Sequence, residues 1–176
     1  MILPRKFYQK PTLKVAQRLL GKYLVFKNMS AKIIETEAYI GRNDLACHAS
    51  KGRTKRNEVM FGKAGYTYIY MIYGMYFCLN IVTGKIDCPE AVLIRALECA
   101  GCNGPGKLTR TFSLTTKQNG LDLTRSELYI EDRGEPVTRA NIVQTRRIGV
   151  DYAGIWAKKP WRFIIKNSPH LSRKFI

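Results

Sequence analysis

The sequence predicts a mixed α+β domain built on a mainly antiparallel sheet. Three observations carry this. Short segments rich in Val, Ile and Tyr recur between residues 22 and 165, bounded by Gly, Asn and Asp. Two pairs of these segments lie close enough in sequence to close as hairpins. Few stretches show helical spacing, and none is long. The 176 residues fit one domain, residues 1–176, with no internal repeat and no low-complexity linker. A chain of this size buries about 70% of its unfolded surface, so it needs no disulfide or metal to fold.

Pro11-Thr12-Leu13 opens the first helix. Leu13, Ala16, Leu19 and Leu20 follow at helical spacing, and Gly21 stops it. Lys22 to Lys27 reads as a strand, Asn28-Met29-Ser30 as a turn, and Lys32 to Ile40 as the returning strand. Gly41-Arg42-Asn43-Asp44 breaks it, and residues 48–58 form a polar, basic loop. Tyr66 to Tyr73 and Tyr76 to Val82 form a second hairpin with Tyr73-Gly74-Met75 near its tip. Ala91 to Leu97 is a buried strand. Gly104-Pro105-Gly106-Lys107 leads into a helix through about Leu114. Leu128 to Glu131 and Arg162 to Ile165 are short strands, and Tyr152 to Ala157 forms one or two helical turns.

Lys and Arg total 30 against 13 Asp and Glu, a net charge of +17. The 45% hydrophobic content excludes general disorder, so the charge points to a polyanionic partner. No stretch approaches the roughly 18 apolar residues of a membrane helix. Met1 to Phe7 lacks the apolar core of a secretory signal. The expected location is therefore cytoplasmic, nucleoid or nuclear rather than secreted or membrane-bound. The five cysteines, Cys47, Cys78, Cys88, Cys99 and Cys102, read as reduced thiols.

Several constellations could carry chemistry. Glu35, Glu37 and Tyr39 share one strand face by alternation. They form either a solvated edge or a carboxylate able to deprotonate a water, and the habits of acidic residues favour the solvated edge. Tyr66, Tyr68 and Tyr70 share a face and suit ordinary packing, whereas Tyr73 at a tip could equally wedge a duplex. Lys51, Arg53, Lys55 and Arg56 crowd one loop, and Lys158, Lys159, Arg162, Lys166, Arg173 and Lys174 follow the last acid. Neutralising about six phosphates would give a slope of log affinity against log salt near −5. Gly104 to Lys107 suits a phosphate at a helix start but is no Walker motif. Cys99-Ala100-Gly101-Cys102 lacks the second spaced pair of a zinc site, and His48 is not followed by the glutamate of a zinc deaminase.

Longer motifs carry a resemblance. Ile33-Ile34-Glu35-Thr36-Glu37-Ala38-Tyr39 with His48, the run from Tyr68 to Asn80, Leu93 to Glu98, Gly104 to Leu108 and Arg147-Ile148-Gly149-Val150 closely resemble the alkyladenine (3-methyladenine) DNA glycosylase family. The match runs from about Leu3 to Ser172. It implies a compact α+β domain with a curved antiparallel sheet, flanking helices and a protruding β-hairpin. It implies base excision: hydrolysis of the N-glycosidic bond of damaged purines in duplex DNA, without metal, other cofactor or covalent lysine intermediate. By resemblance, Glu37 is the general base. Arg95 and the Val150 main chain help hold the attacking water. Tyr39, His48 and Tyr70 sandwich the flipped base, and Asn80 crowds the 2-amino group of guanine. Tyr73 enters the duplex, while Arg53, Thr54, Met75 and Lys107 contact DNA. The basic loop is one residue shorter than in the animal form. The expected partner is lesion-bearing duplex DNA, bound by a monomer without an obligate protein partner. A non-catalytic damage-binding module and an RNA-associated basic protein are the competing readings.

Overall fold

The computed structural model describes residues 1–173. In chain order its elements are α1 (Arg5–Tyr8), α2 (Thr12–Leu19), β1 (Tyr23–Phe26), β2 (Met29–Ile40), β3 (Thr67–Ile72), β4 (Tyr76–Thr83), β5 (Glu90–Leu97), α3 (Pro105–Thr111), β6 (Leu128–Glu131), β7 (Ile142–Thr145) and β8 (Arg162–Ile165). The strands form one antiparallel sheet in the order β3-β4-β5-β2-β1-β6, with β8 beside β2 and β7 beside β8. The predicted α+β class and curved sheet are therefore observed.

The twelve-residue β2 is the spine. Met29 to Lys32 pair with β1, Ile33 to Ile40 with β5, and Glu35 to Glu37 with β8. Its register with β5 shifts between Ile33 and Thr36. A bulge there bends and twists the strand, curling the sheet. Alternation then divides the molecule. Ile69, Leu79, Ile81 and Val92 pack under α2 and α3 with Val15, Leu19, Leu108 and Phe112. Tyr68, Val82 and Ala91 face the other way, against Cys47, Ala49, Met60 and Phe61. The Thr36 hydroxyl donates to the Ala16 carbonyl at 2.9 Å, which seats α2 on the back of β2. Glu35, Glu37 and Tyr39 consequently project to the front.

Both expected hairpins are present, with one shifted turn. Phe26 pairs with Met29, so the first loop is Lys27-Asn28 alone, with Lys27 at φ +54°. A two-residue loop of this kind matches strand twist, which leaves Met29 and Ser30 in β2. In the second hairpin Ile72 pairs with Tyr76 around Tyr73-Gly74-Met75. Helix α3 buttresses its base. A Cβ on Gly106 would lie 2.9–3.1 Å from Tyr76, and the Thr109 hydroxyl donates to the Phe77 carbonyl at 3.0 Å.

Other expectations need correction. The helix predicted through Leu114 ends at Thr111, because Ser113 turns to φ +54°. The one or two helical turns expected over Tyr152 to Ala157 are present, as the 3-10 segment Asp151–Lys158 kinked at Gly154. α1 and the half-exposed β7, with its polar Gln144 and Thr145, carry too little hydrophobic signal to stand out. Cys99 and Cys102 are paired as a disulfide, so the five thiols are not all free. Among the described residues no helix is long and apolar enough to cross a membrane.

Candidate active site

The site starts on the front of β2. Glu35 and Glu37 are both 0% exposed, which overturns the solvated-edge reading: β2 is an interior strand flanked by β5, β8 and β1. A buried carboxylate needs partners, and each has a full set. Glu35 accepts from Arg162 Nε at 2.7 Å, Arg95 Nε at 3.0 Å, and the Ser172 hydroxyl and amide at 2.6 and 2.7 Å. Burial alone would raise its pKa, but the Arg162 bond, then the Arg95 and Ser172 interactions, outweigh it and hold the carboxyl below its ordinary value. Glu37 accepts from Arg95 Nη1 at 3.2 Å, the Tyr39 hydroxyl at 2.8 Å and the Ile148 amide at 2.8 Å. Arg95 thus bridges the two carboxylates and is itself 7% exposed. Burial, then the charge of Glu37, push the Tyr39 hydroxyl well above its ordinary range, so it remains a donor to Glu37.

A second buried pair braces this floor. Arg147 meets Asp44 bidentately at 2.6 and 2.8 Å. It also donates to the Ala38 and Trp156 carbonyls and lies 4.8 Å from the Tyr39 ring centroid. Asp44 in turn accepts from the Ile40 and Ala46 amides. The pair ties the loop after β2 to the segment whose next residue, Ile148, donates to Glu37. Val150 is buried, and its carbonyl accepts from the Ala153 amide at 2.9 Å, leaving one lone pair.

Above Tyr39 opens a cavity lined also by His48, Met60, Tyr68, Tyr70 and Asn80, with Ala46, Cys47 and Ala91. His48 and Tyr70 meet edge to face with centroids 4.4 Å apart, so these two rings form one wall together. Tyr68 holds His48 through a 2.9 Å bond between its hydroxyl and Nδ1. Burial, then Arg56 and Lys51, lower the His48 pKa below its ordinary value, so the imidazole is neutral at pH 7. Asn80 donates its amide to the Tyr68 and Cys78 carbonyls. That fixes the side-chain oxygen as the group left for the cavity.

The residues expected to contact DNA differ in how freely they are exposed. Tyr73 is 86% and Met75 67% exposed at the hairpin tip. Arg56 donates to the Met71 carbonyl and lies 5.2 Å from the Tyr70 ring centroid, linking basic loop, hairpin and wall. Arg53 is paired with Glu58 at 2.5 Å. The Thr54 amide donates to Asn57, and Lys107 is exposed but bonded to Asn103 at 3.2 Å. Arg162 is buried under Glu35 and leaves the set of tail cations available to phosphate. Lys158, Lys159, Lys166 and Arg173 are exposed, and Lys174 lies outside the described residues.

Asp44, Ser172 and Tyr68 were not legible as site residues. Arg147 stands inside a recognised motif, but its partner lies 103 positions away. The rarity of acids in so basic a chain was the one available hint toward Asp44.

Residues 6–169 match the family model described as methylpurine-DNA glycosylase (MPG). A protein of Methanocella arvoryzae, assigned by name as a 3-methyladenine DNA glycosylase, is 51% identical, over 98% of this chain and 96% of its own. Relatives assigned the same name in Legionella pneumophila (strain Corby) and Bdellovibrio bacteriovorus are 48% and 46% identical, over 97% and 99% of this chain and 98% and 100% of theirs. On this full-length agreement, the chain belongs to the methylpurine-DNA glycosylase family, whose members are hydrolases acting on N-glycosyl bonds.

Proposed function

We propose that this protein excises alkylated purines of the 3-methyladenine class from duplex DNA by hydrolysis directed by Glu37. The observation that carries this is a fully buried carboxylate fixed by three donors, one of which, Tyr39, also lines an aromatic cavity, in a molecule that exposes a tyrosine at a hairpin tip.

A base inside a duplex is out of reach, so it must rotate out at a cost of a few kcal/mol. Tyr73 fills the gap and stacks in its place. The extruded base enters between Tyr39 and the wall of His48 and Tyr70. A cationic alkylated ring is attracted to these electron-rich faces. The neutral His48 adds no repulsive charge. The Asn80 oxygen and close packing leave no room for the 2-amino group of normal guanine.

Glycosidic cleavage passes through an oxocarbenium-like state. The Glu37 charge, held in place before reaction, stabilises the developing cation. Its Oε1 retains a lone pair beyond the Ile148 bond, and the Val150 carbonyl retains another. Together with Arg95 they define a place for one water. Glu37 takes the water proton as oxygen attacks the anomeric carbon, the base leaves with the bonding electrons, and an abasic sugar remains. A cationic base needs little acid assistance to leave.

The test is base release from labelled duplexes, each with one 3-methyladenine analogue, 7-methylguanine, hypoxanthine or ethenoadenine. Hot alkali then nicks the abasic product. Release from at least one alkylated duplex, and none from the undamaged control, is expected. Tight lesion binding with no release from any duplex would instead support a damage-binding protein.

A further inference from the structure

The back of the molecule carries a charge cluster that the catalytic face does not use. Lys6, Lys10, Lys14 and Arg18 follow one another at four-residue spacing along α1, the connecting residues and α2. None forms an ion pair among the described residues. Lys14 and Arg18 sit one helical turn apart, with Cβ atoms about 5–6 Å from each other. Lys6, Lys10 and Arg18 line a groove between α2 and the N-terminal strap Met1–Pro4. The one acid on that groove, Asp132, is already bound to Lys22 at 2.7 Å. Four unopposed cations repel one another. The repulsion registers on Lys10, whose ammonium is lowered by partial desolvation and then by Arg18, Lys14 and Lys6.

Position decides what this cluster can meet. α2 packs on the back of β2, through Thr36 and Ala16, whereas Glu37 and Tyr39 face the front. The N-terminal strap bonds to β6, with the Leu3 amide donating to the Ile130 carbonyl at 2.8 Å. β6 is the sheet edge opposite the β3–β4 hairpin. The groove therefore lies behind the sheet and toward the edge opposite the hairpin.

We propose that this groove is a second phosphate-binding surface, which takes the backbone of another duplex DNA segment while the catalytic face is occupied. The inference rests on the reading of the front face given above. Its chemistry is charge complementarity to a polyanion, and the natural occupant is the polymer the enzyme already works on. A nearby segment of the same DNA is present at high local concentration. Contacts of this kind carry no sequence preference and position a duplex without reading it.

The test is duplex bridging. Beads carry one undamaged duplex, the protein is added, and capture of a second, fluorescent undamaged duplex is measured. The wild type captures it at low salt. The triple variant Lys6→Gln/Lys10→Gln/Arg18→Gln loses most capture, and its salt slope is shallower by about 2.7, from three lost phosphate contacts at about 0.9 each. Its single-turnover base release from a short lesion duplex stays within twofold of wild type, which also shows that it folds. No capture by wild type, or equal capture by the variant as a front-face or dimer bridge would give, overturns the proposal. So does a preference for anionic vesicles or structured RNA at equal phosphate concentration. Capture uses undamaged DNA, so loss of the catalytic reading would appear in base release and loss of the groove in bridging.

Discussion

The pocket floor and the hairpin tip lie on the same face of one sheet, yet they are held in opposite ways. At the floor, Glu35, Glu37, Asp44, Arg95, Arg147 and Arg162 are all buried, and each carboxylate has at least three donors. At the tip, Tyr73 and Met75 are largely exposed, and Tyr73 and Gly74 take positive φ. Among the described residues, the tip is supported from below, by Arg56 on Met71 and by α3 under Tyr76 and Phe77. The difference follows from what each must do. A charge that stabilises a transition state works best when it need not reorganise. A wedge must meet DNA, so its apolar surface stays open until the duplex covers it. Changes at the floor therefore alter chemistry and stability, whereas changes at the tip alter binding.

That contrast can be broken or sharpened by substitution. The largest effect is expected at Glu37: Glu37→Gln slows single-turnover base release by about 10²- to 10⁴-fold. Next is the buried brace. Asp44→Ala strands Arg147 in the interior and should destabilise the fold by roughly 3–5 kcal/mol, read by urea unfolding. A variant as stable as wild type would show that the pair is dispensable. At the tip, Tyr73→Ala should weaken lesion-duplex binding by about 1–3 kcal/mol at constant salt, with thermal stability unchanged. Weakening of lesion and undamaged duplex alike would count against insertion at the lesion.

The smallest effect is a pH dependence. The folded Glu35 carboxyl lies below its ordinary value of 4.5. Its contribution to stability is therefore complete above 4.5 and disappears as pH falls through the lowered folded value. Wild type should lose stability on acidification below about pH 4.5, and Glu35→Gln should show a shallower loss across the same window. Identical slopes would show that other carboxyls carry the acid response.

The division between floor and tip also marks what a single sequence reveals. Alternation along β2 placed Glu35, Glu37 and Tyr39 on one face, and the structure agrees. The tip was legible because Tyr73-Gly74-Met75 interrupts two β-prone runs. Burial was not legible. The bulged strand reads like a polar edge until β5 and β8 are known to flank it. Arg162 reads as one more tail cation until Glu35, 127 positions earlier, is seen beneath it. The Asp44–Arg147 pair is hidden for the same reason: long-range pairing leaves no local pattern. The Cys99–Cys102 bond spans only three positions, but its spacing suits several chemistries and selects none.

Glu37 is assigned to the chemical step and not to holding the lesion. The most direct measurement is lesion-duplex affinity and single-turnover base release on the same Glu37→Gln preparation, with Tyr73→Ala beside it. Glu37→Gln is expected to keep wild-type affinity and lose release, while Tyr73→Ala loses affinity. If affinity and release fall together in Glu37→Gln, or release persists without the carboxylate, the assignment of Glu37 is contradicted.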